Sequence, residues 1–185
     1  MVSNARGGNF LGLALLAVVA LPSVALAEGE ADSAATDAEH PWCTPEVATL
    51  EVASGAGTTP VCTYTPDKLA DGPKTLVVFL HGLTAAGSDW QYAFQKAGMR
   101  IADSKGFTVL MPRGRRGIGP KGSEDNWAWP TGSSAQLSVE SDVLAEWASA
   151  QAKLEEKNGA KFDHVWVFGF SNGAYYAASL ASRGR

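Results

Sequence analysis

Apolar and polar positions are unevenly spaced along this chain, and the spacing divides it into short elements. Thr75 to Leu80 (TLVVFL) is an unbroken apolar, β-branched run. Such a run predicts a strand buried on both faces of a parallel sheet. Phe107 to Met111 and His164 to Phe168 read the same way. Val47 to Ala53 and Pro60 to Thr65 predict two more strands around the turn Ser54-Gly55-Ala56-Gly57. Elsewhere the period lengthens. After Ser88, the residues Trp90, Phe94, Ala97 and Ile101 recur at helical spacing as far as Gly106, which predicts a helix with those four on its core face. Ser138 predicts the cap of a longer helix carrying Val143, Trp147 and Leu154 on one face and ending at Asn158-Gly159. Asn172 to Ser182 predicts a last helix. Strands alternating with helices imply a parallel sheet covered on both faces, a three-layer α/β architecture with its opening strands antiparallel at one edge.

The first residues follow a different rule. Arg6 supplies a positive start, Phe10 to Leu21 is an apolar stretch, Pro22 breaks it, and Ala25 and Ala27 are small residues placed for cleavage after Ala27. That is the pattern of a signal peptide over residues 1–27. The apolar stretch is shorter than the roughly 20 residues that span a bilayer, so no stable membrane anchor is expected. Glu28 to His40 is acidic and alanine-rich, without large apolar groups, and reads as a flexible linker. Residues 41–185 are expected to form one domain. Export makes the protein secreted or periplasmic, and it gives meaning to the two cysteines, Cys43 and Cys62. An even count in an oxidising compartment reads as one disulfide. No Cys or His pair has zinc-ligand spacing, so no metal is expected. The net charge of -4 and the absence of a basic run argue against a nucleic-acid partner. Oligomeric state is not legible.

The chemistry sits in Gly169-Phe170-Ser171-Asn172-Gly173, a G-x-S-x-G pattern. Alone, the pattern is weak. Its context strengthens it, because the apolar strand Val165 to Phe168 runs into it and a helical segment follows. A serine on so sharp a strand-to-helix turn stands clear of the sheet. The flanking glycines permit a close approach that a Cβ would block, and the following helix points its positive end at the site.

Three segments taken together, LVVFLHG, VLMPRG and VWVFGFSNGAYYAA, resemble the α/β-hydrolase superfamily. The likeness is to the esterase branch with secreted polyhydroxybutyrate depolymerases, feruloyl esterases and carboxylesterases. It runs from about Leu76 to the C-terminus. The resemblance implies a three-layer α/β-hydrolase-type sandwich in which Ser171 is the nucleophile. The backbone N–H groups of Leu83 and Asn172 would form the oxyanion hole. Two donors fixed by secondary structure need no reorganisation, and losing one typically raises the barrier by about 3 kcal/mol. The resemblance also makes His81 a structural histidine that holds its loop. His164 begins the strand, away from the serine, and His40 lies in the linker.

Asn126 to Pro130 (NWAWP) lies in the long segment after a strand end, where open α/β sheets bind ligands. Trp127 and Trp129 are therefore candidate walls of a substrate pocket; the alternative is that they fill space under the loop. Arg113, Arg115, Arg116 and Lys121 in the same segment could draw an anionic substrate or be solvated. The expected function is an exported serine esterase acting on a small or polymeric ester by acyl-enzyme chemistry, without cofactor or metal. A further expectation concerns completeness. In α/β-hydrolases an Asp or Glu and then a His follow the serine, and no Asp, Glu or His stands between Asn172 and Arg185. The resembled family would add strands after the serine, so the C-terminal strands are expected to be missing and the strand ending at Phe168 to be an exposed edge prone to aggregation. An inactive truncated hydrolase-like protein or gene fragment is the first alternative, and a serine peptidase on the same fold is the second.

Overall fold

The computed structural model describes residues 40–55, 57–131 and 139–185. The signal peptide, nearly all of the linker, and the Ser138 cap lie outside the described residues. The elements in order are β1 (Ala48–Ser54), β2 (Gly57–Tyr64), β3 (Thr75–Leu80), α1 (Trp90–Lys105), β4 (Thr108–Met111), α2 (Glu140–Asn158), β5 (His164–Gly169) and α3 (Asn172–Ser182). The strands form one sheet in the order β1-β2-β4-β3-β5. β4, β3 and β5 are parallel. β2 is antiparallel to both β1 and β4, as expected for the opening pair.

The architecture is three-layered because each buried strand alternates its side chains between two cores. Leu76, Val78, Leu80 and Leu110 face one cluster with Val143, Trp147 and Leu154 of α2 and Tyr176 and Leu180 of α3. Val109 and Met111 face the other, with Ala102 of α1 and with Trp42, Cys62 and Trp127. The crossover from β3 to β4 runs one way along the sheet and that from β4 to β5 runs back past β3. Right-handed crossovers of opposite direction place their helices on opposite faces.

Two expectations need correction. α1 does not turn Trp90, Phe94, Ala97 and Ile101 inward. Trp90 is 60% exposed and Ile101 50%, while Gln91, Gln95, Gly98 and Ala102 are the buried residues. The reason is a close approach. A Cβ on Gly98 would lie 3.1 Å from Met111 Sδ, so the small residues must face the sheet. Gln95 can be buried because both ends of its amide are hydrogen-bonded to the segment before β1. β5 is not buried on both faces either. Among the described residues it is the edge strand of the sheet, with Val165, Trp166, Val167 and Phe168 all exposed, which agrees with the expectation of an exposed edge at Phe168.

The segment before β1 is tied down by a disulfide between Cys43 and Cys62 of β2, with Cα atoms 5.4 Å apart. The bridge joins cysteines 19 residues apart. Closing a loop of that size contributes about 3 kcal/mol in the chain-entropy model. Thiol titration of the unfolded, unreduced protein should find no free thiol; two titratable thiols would refute the bridge.

Candidate active site

Because β3, β4 and β5 are parallel, their C-terminal ends lie side by side. The two crossovers leave this region in opposite directions, which opens the crevice where α/β sheets place their chemistry. His81 to Thr84 follow β3, Pro112 to Gly114 follow β4, and Phe170 to Asn172 follow β5.

Ser171 is the sharpest point of this region. Its φ of 49° and ψ of -119° make it the sole non-glycine residue of positive φ among the described residues. Such a conformation costs of order 1–3 kcal/mol and persists only where the surroundings enforce it. Here the enforcement is visible. Phe170 N–H donates to Leu80 O at 3.0 Å, and the N–H groups of Ala174 and Tyr175 donate to Ser171 O at 2.9 and 3.1 Å. The flanking glycines are sterically required. A Cβ on Gly169 would lie 2.3 Å from the Gly173 carbonyl, and one on Gly173 would lie 2.4 Å from Leu80 O. The loop after β3 passes alongside, since a Cβ on Gly82 would sit 3.3 Å from Ser171 Cβ. Ser171 is exposed, Leu83 of the passing loop is half-buried and Asn172 is buried. Leu83 N–H makes no backbone hydrogen bond among the described residues. Ser171 Oγ has no hydrogen-bonded side chain among them.

His81 is buried and holds the loop. Its Nε2 accepts from Gly114 N–H at 3.0 Å, so the proton of the neutral ring sits on Nδ1, which faces Gly82 O at 2.5 Å. Thr84 Oγ1 also donates to Gly82 O, at 3.2 Å. Burial pushes the His81 pKa down to about 4, against a smaller upward pull from the Gly82 carbonyl. The imidazole is therefore neutral at physiological pH, and both ring nitrogens are engaged.

Trp127 and Trp129 are interior residues. Thr84 and Trp127 exchange backbone hydrogen bonds at 3.2 and 2.8 Å, which stitches the long loop after β4 to the loop after β3. Trp129 has no exposed surface. Its ring stacks on Tyr176, centroids 5.8 Å apart, and meets Trp147 edge-on at 6.0 Å. Its Nε1 donates to His81 O at 2.8 Å and its backbone N–H to Asn172 Oδ1 at 2.7 Å. One residue thus touches the ends of β3 and β5. Both indoles are buried beneath the loop.

The arginines of that loop have partners of their own. Arg115 pairs with buried Glu146 of α2, Arg116 with Asp125 at 3.6 Å, and the Arg113 guanidinium lies 4.2 Å over the Trp127 ring. Sequence reasoning missed Glu146, Gly114, Thr84 and the side chain of Asn172. A Glu on a helix face reads as solvated, and a loop's backbone contacts leave no periodic signal. Among the described residues no group of three or more His, Cys, Asp or Glu side chains is placed to hold a metal ion.

No protein-family model and no curated protein matches this chain. Among solved structures it is similar to an α/β serine hydrolase without lid from Xanthomonas campestris, at 20% identity, covering 78% of this chain and 59% of the other with a TM-score of 0.46. It is also similar to a poly(aspartic acid) hydrolase from a Sphingomonas species, at 17% identity, 75% and 51% coverage and TM-score 0.42. A third is a cold-adapted esterase from an Arctic intertidal metagenomic library, at 16% identity, 72% and 57% coverage and TM-score 0.44. The chain thus spans between 51% and 59% of the length of these structures. At these scores the likeness is a partial overlap of strands and helices, and the architecture stands on its own strand order and register.

Proposed function

We propose that this chain is the nucleophile-bearing part of an exported serine hydrolase that cleaves carboxylic esters. The observation that carries the reading is the forced backbone of Ser171 between β5 and α3, with the Gly82-Leu83 peptide alongside. Strain at one exposed serine, enforced by the surrounding hydrogen bonds and close glycine contacts, supports a chemical task for its hydroxyl. In the proposed reaction Ser171 Oγ attacks the ester carbonyl while its proton passes to a base. The oxyanion is held by the N–H groups of Leu83 and Asn172 at the positive end of α3. Collapse expels the alcohol and leaves an acyl-serine, which water then hydrolyses. This chemistry calls for no metal or cofactor. The Cys43–Cys62 bridge supports an oxidising compartment, in keeping with cleavage of a signal peptide after Ala27. A second reading, a hydrolase-like domain that binds without turnover, draws on the lack of any described Asp, Glu or His hydrogen-bonded to Ser171.

Reactivity at Ser171 can be tested without turnover. After long exposure to p-nitrophenyl acetate or a fluorophosphonate, peptide mass mapping should find Ser171 labelled in about tenfold or greater excess over any other serine. A label spread evenly over the exposed serines would sink the proposal.

A further inference from the structure

The segment before β1 sends one large side chain to the site end of the sheet. The Trp42 ring meets the His81 imidazole edge-on, centroids 5.0 Å apart, and meets Trp127 at 5.7 Å. Trp129 lies on another side of the imidazole at 4.8 Å. His81 is thus enclosed between two indoles, one from the core and one brought in from the N-terminal side. Two devices hold Trp42 in place. The first is the Cys43–Cys62 bridge, one residue away. The second is buried Gln95 of α1, whose Oε1 accepts from Thr44 N–H and whose Nε2 donates to Trp42 O, each at 2.7 Å.

We propose that Trp42 is a positioning residue for the Gly82–Thr84 loop, seated on His81 by the Cys43–Cys62 bridge, so that the order of this loop depends on the oxidation state of the bridge. The proposal rests on reading Leu83 N–H, within that loop, as an oxyanion donor. With the bridge intact, Trp42 keeps water from His81. The neutral ring then keeps a lone pair on Nε2 for Gly114 N–H and a proton on Nδ1 facing Gly82 O. A dithiol reductant would break the S–S bond. Two electrons and two protons pass to the Cys43 and Cys62 sulfurs, and the dithiol closes to a cyclic disulfide. The segment is then held by Gln95 and by packing, against a regained chain entropy. When Trp42 leaves, water reaches the imidazole and the ring can take a second proton. An imidazolium has no acceptor nitrogen, so the bond from Gly114 is lost and the loop loosens. No charged side chain contributes to the His81 shift, which comes from burial. Of the cations in the adjoining loop, Arg113 lies over Trp127, Arg115 pairs with Glu146 and Arg116 with Asp125. Uncovering the ring is therefore the change that matters.

The test follows His81 by NMR through a pH titration, together with hydrogen exchange at the Gly114 amide and the rate of Ser171 labelling by p-nitrophenyl acetate. The samples are the oxidised protein, the same protein reduced with a dithiol, and Trp42→Ala and Trp42→Phe with the bridge intact. In the oxidised protein His81 should titrate at about 4. In the reduced protein and in Trp42→Ala it should move up toward 6.5, the ordinary value. Gly114 should then exchange about tenfold faster, and Ser171 labelling should slow about tenfold, less than the loss of a whole oxyanion donor. Trp42→Phe should restore most of both. Slowly exchanging amides of β3 and β4 report that the fold persists, and if either the reduced protein or Trp42→Ala unfolds, the other carries the test. The proposal fails if the melting temperature falls while His81 stays near 4 and Gly114 keeps its protection, since bridge and ring would then only stabilise. Failure of the hydrolase reading looks different: Ser171 would be unlabelled in the oxidised protein, with the His81 result unaffected.

Discussion

A polypeptide of residues 1–185 is expected to hydrolyse p-nitrophenyl esters on the order of a million-fold more slowly than a serine hydrolase with its full set of groups. The expectation follows from where its three histidines lie. His81 has both ring nitrogens engaged and is buried. His164 begins β5, so at about 3.3 Å per residue it lies roughly 20 Å along the strand from Ser171. His40 is exposed, with Nδ1 3.8 Å from Asp89 Oδ1, and no hydrogen bond from Ser171 to it exists among the described residues. With no base placed at Ser171 among the described residues, the hydroxyl is a poor nucleophile at neutral pH, and only the proposed oxyanion donors and binding would contribute. The measurement is steady-state release of p-nitrophenol by residues 1–185 beside Ser171→Ala. Rapid turnover that disappears in the alanine variant would overturn the expectation. The first histidine to replace would then be His40, because the structure withdraws His81 from consideration.

Trp129→Ala should lower the stability of the domain by about 4 kcal/mol, within the range for deleting a buried aromatic ring. The residue is fully buried against Tyr176 and Trp147. Its loss also strands the hydrogen bond that Nε1 gives to His81 O. Trp129→Phe should recover much of the packing and still leave that carbonyl unpaired, at a cost of about 1–3 kcal/mol. Urea denaturation monitored by far-UV circular dichroism decides the matter. Against a total stability of about 5–15 kcal/mol, the alanine variant should melt at a clearly lower urea concentration with the slope unchanged. A midpoint shift equivalent to less than about 1 kcal/mol would show that the loop after β4 is not pinned by this ring.

The contrast between Trp129 and Trp90 shows what the sequence could say. Strand runs such as TLVVFL announce themselves because burial on two faces leaves no polar position, and β3 spans the residues expected. The turn at Ser171 was legible for a related reason: its glycines are demanded by backbone contacts that no other residue tolerates. Periodicity failed for α1. Trp90, Phe94 and Ile101 recur at helical spacing, yet the sheet is approached by Gly98 and Ala102, since proximity to Met111 selects for smallness and not for hydrophobicity. Trp42, Gln95 and Glu146 were illegible because their burial depends on partners far along the chain: an imidazole, a backbone segment and an arginine. An isolated Gln or Glu carries no mark of the partner that will satisfy it.

The stitching of the candidate site has a consequence for the order of folding. His81 and Gly114 are separated by 33 residues, Trp129 and Asn172 by 43, and His81 and Trp129 by 48. The two contacts of His81 wait for the crossover from β3 to β4 and that of Asn172 for the crossover from β4 to β5, and long-range closures are slow because chain entropy is lost before any contact compensates for it. The strained serine is part of the last pairing, β5 on β3. The backbone proposed to carry the chemistry should therefore form late, and it should be among the first parts of the native protein to open.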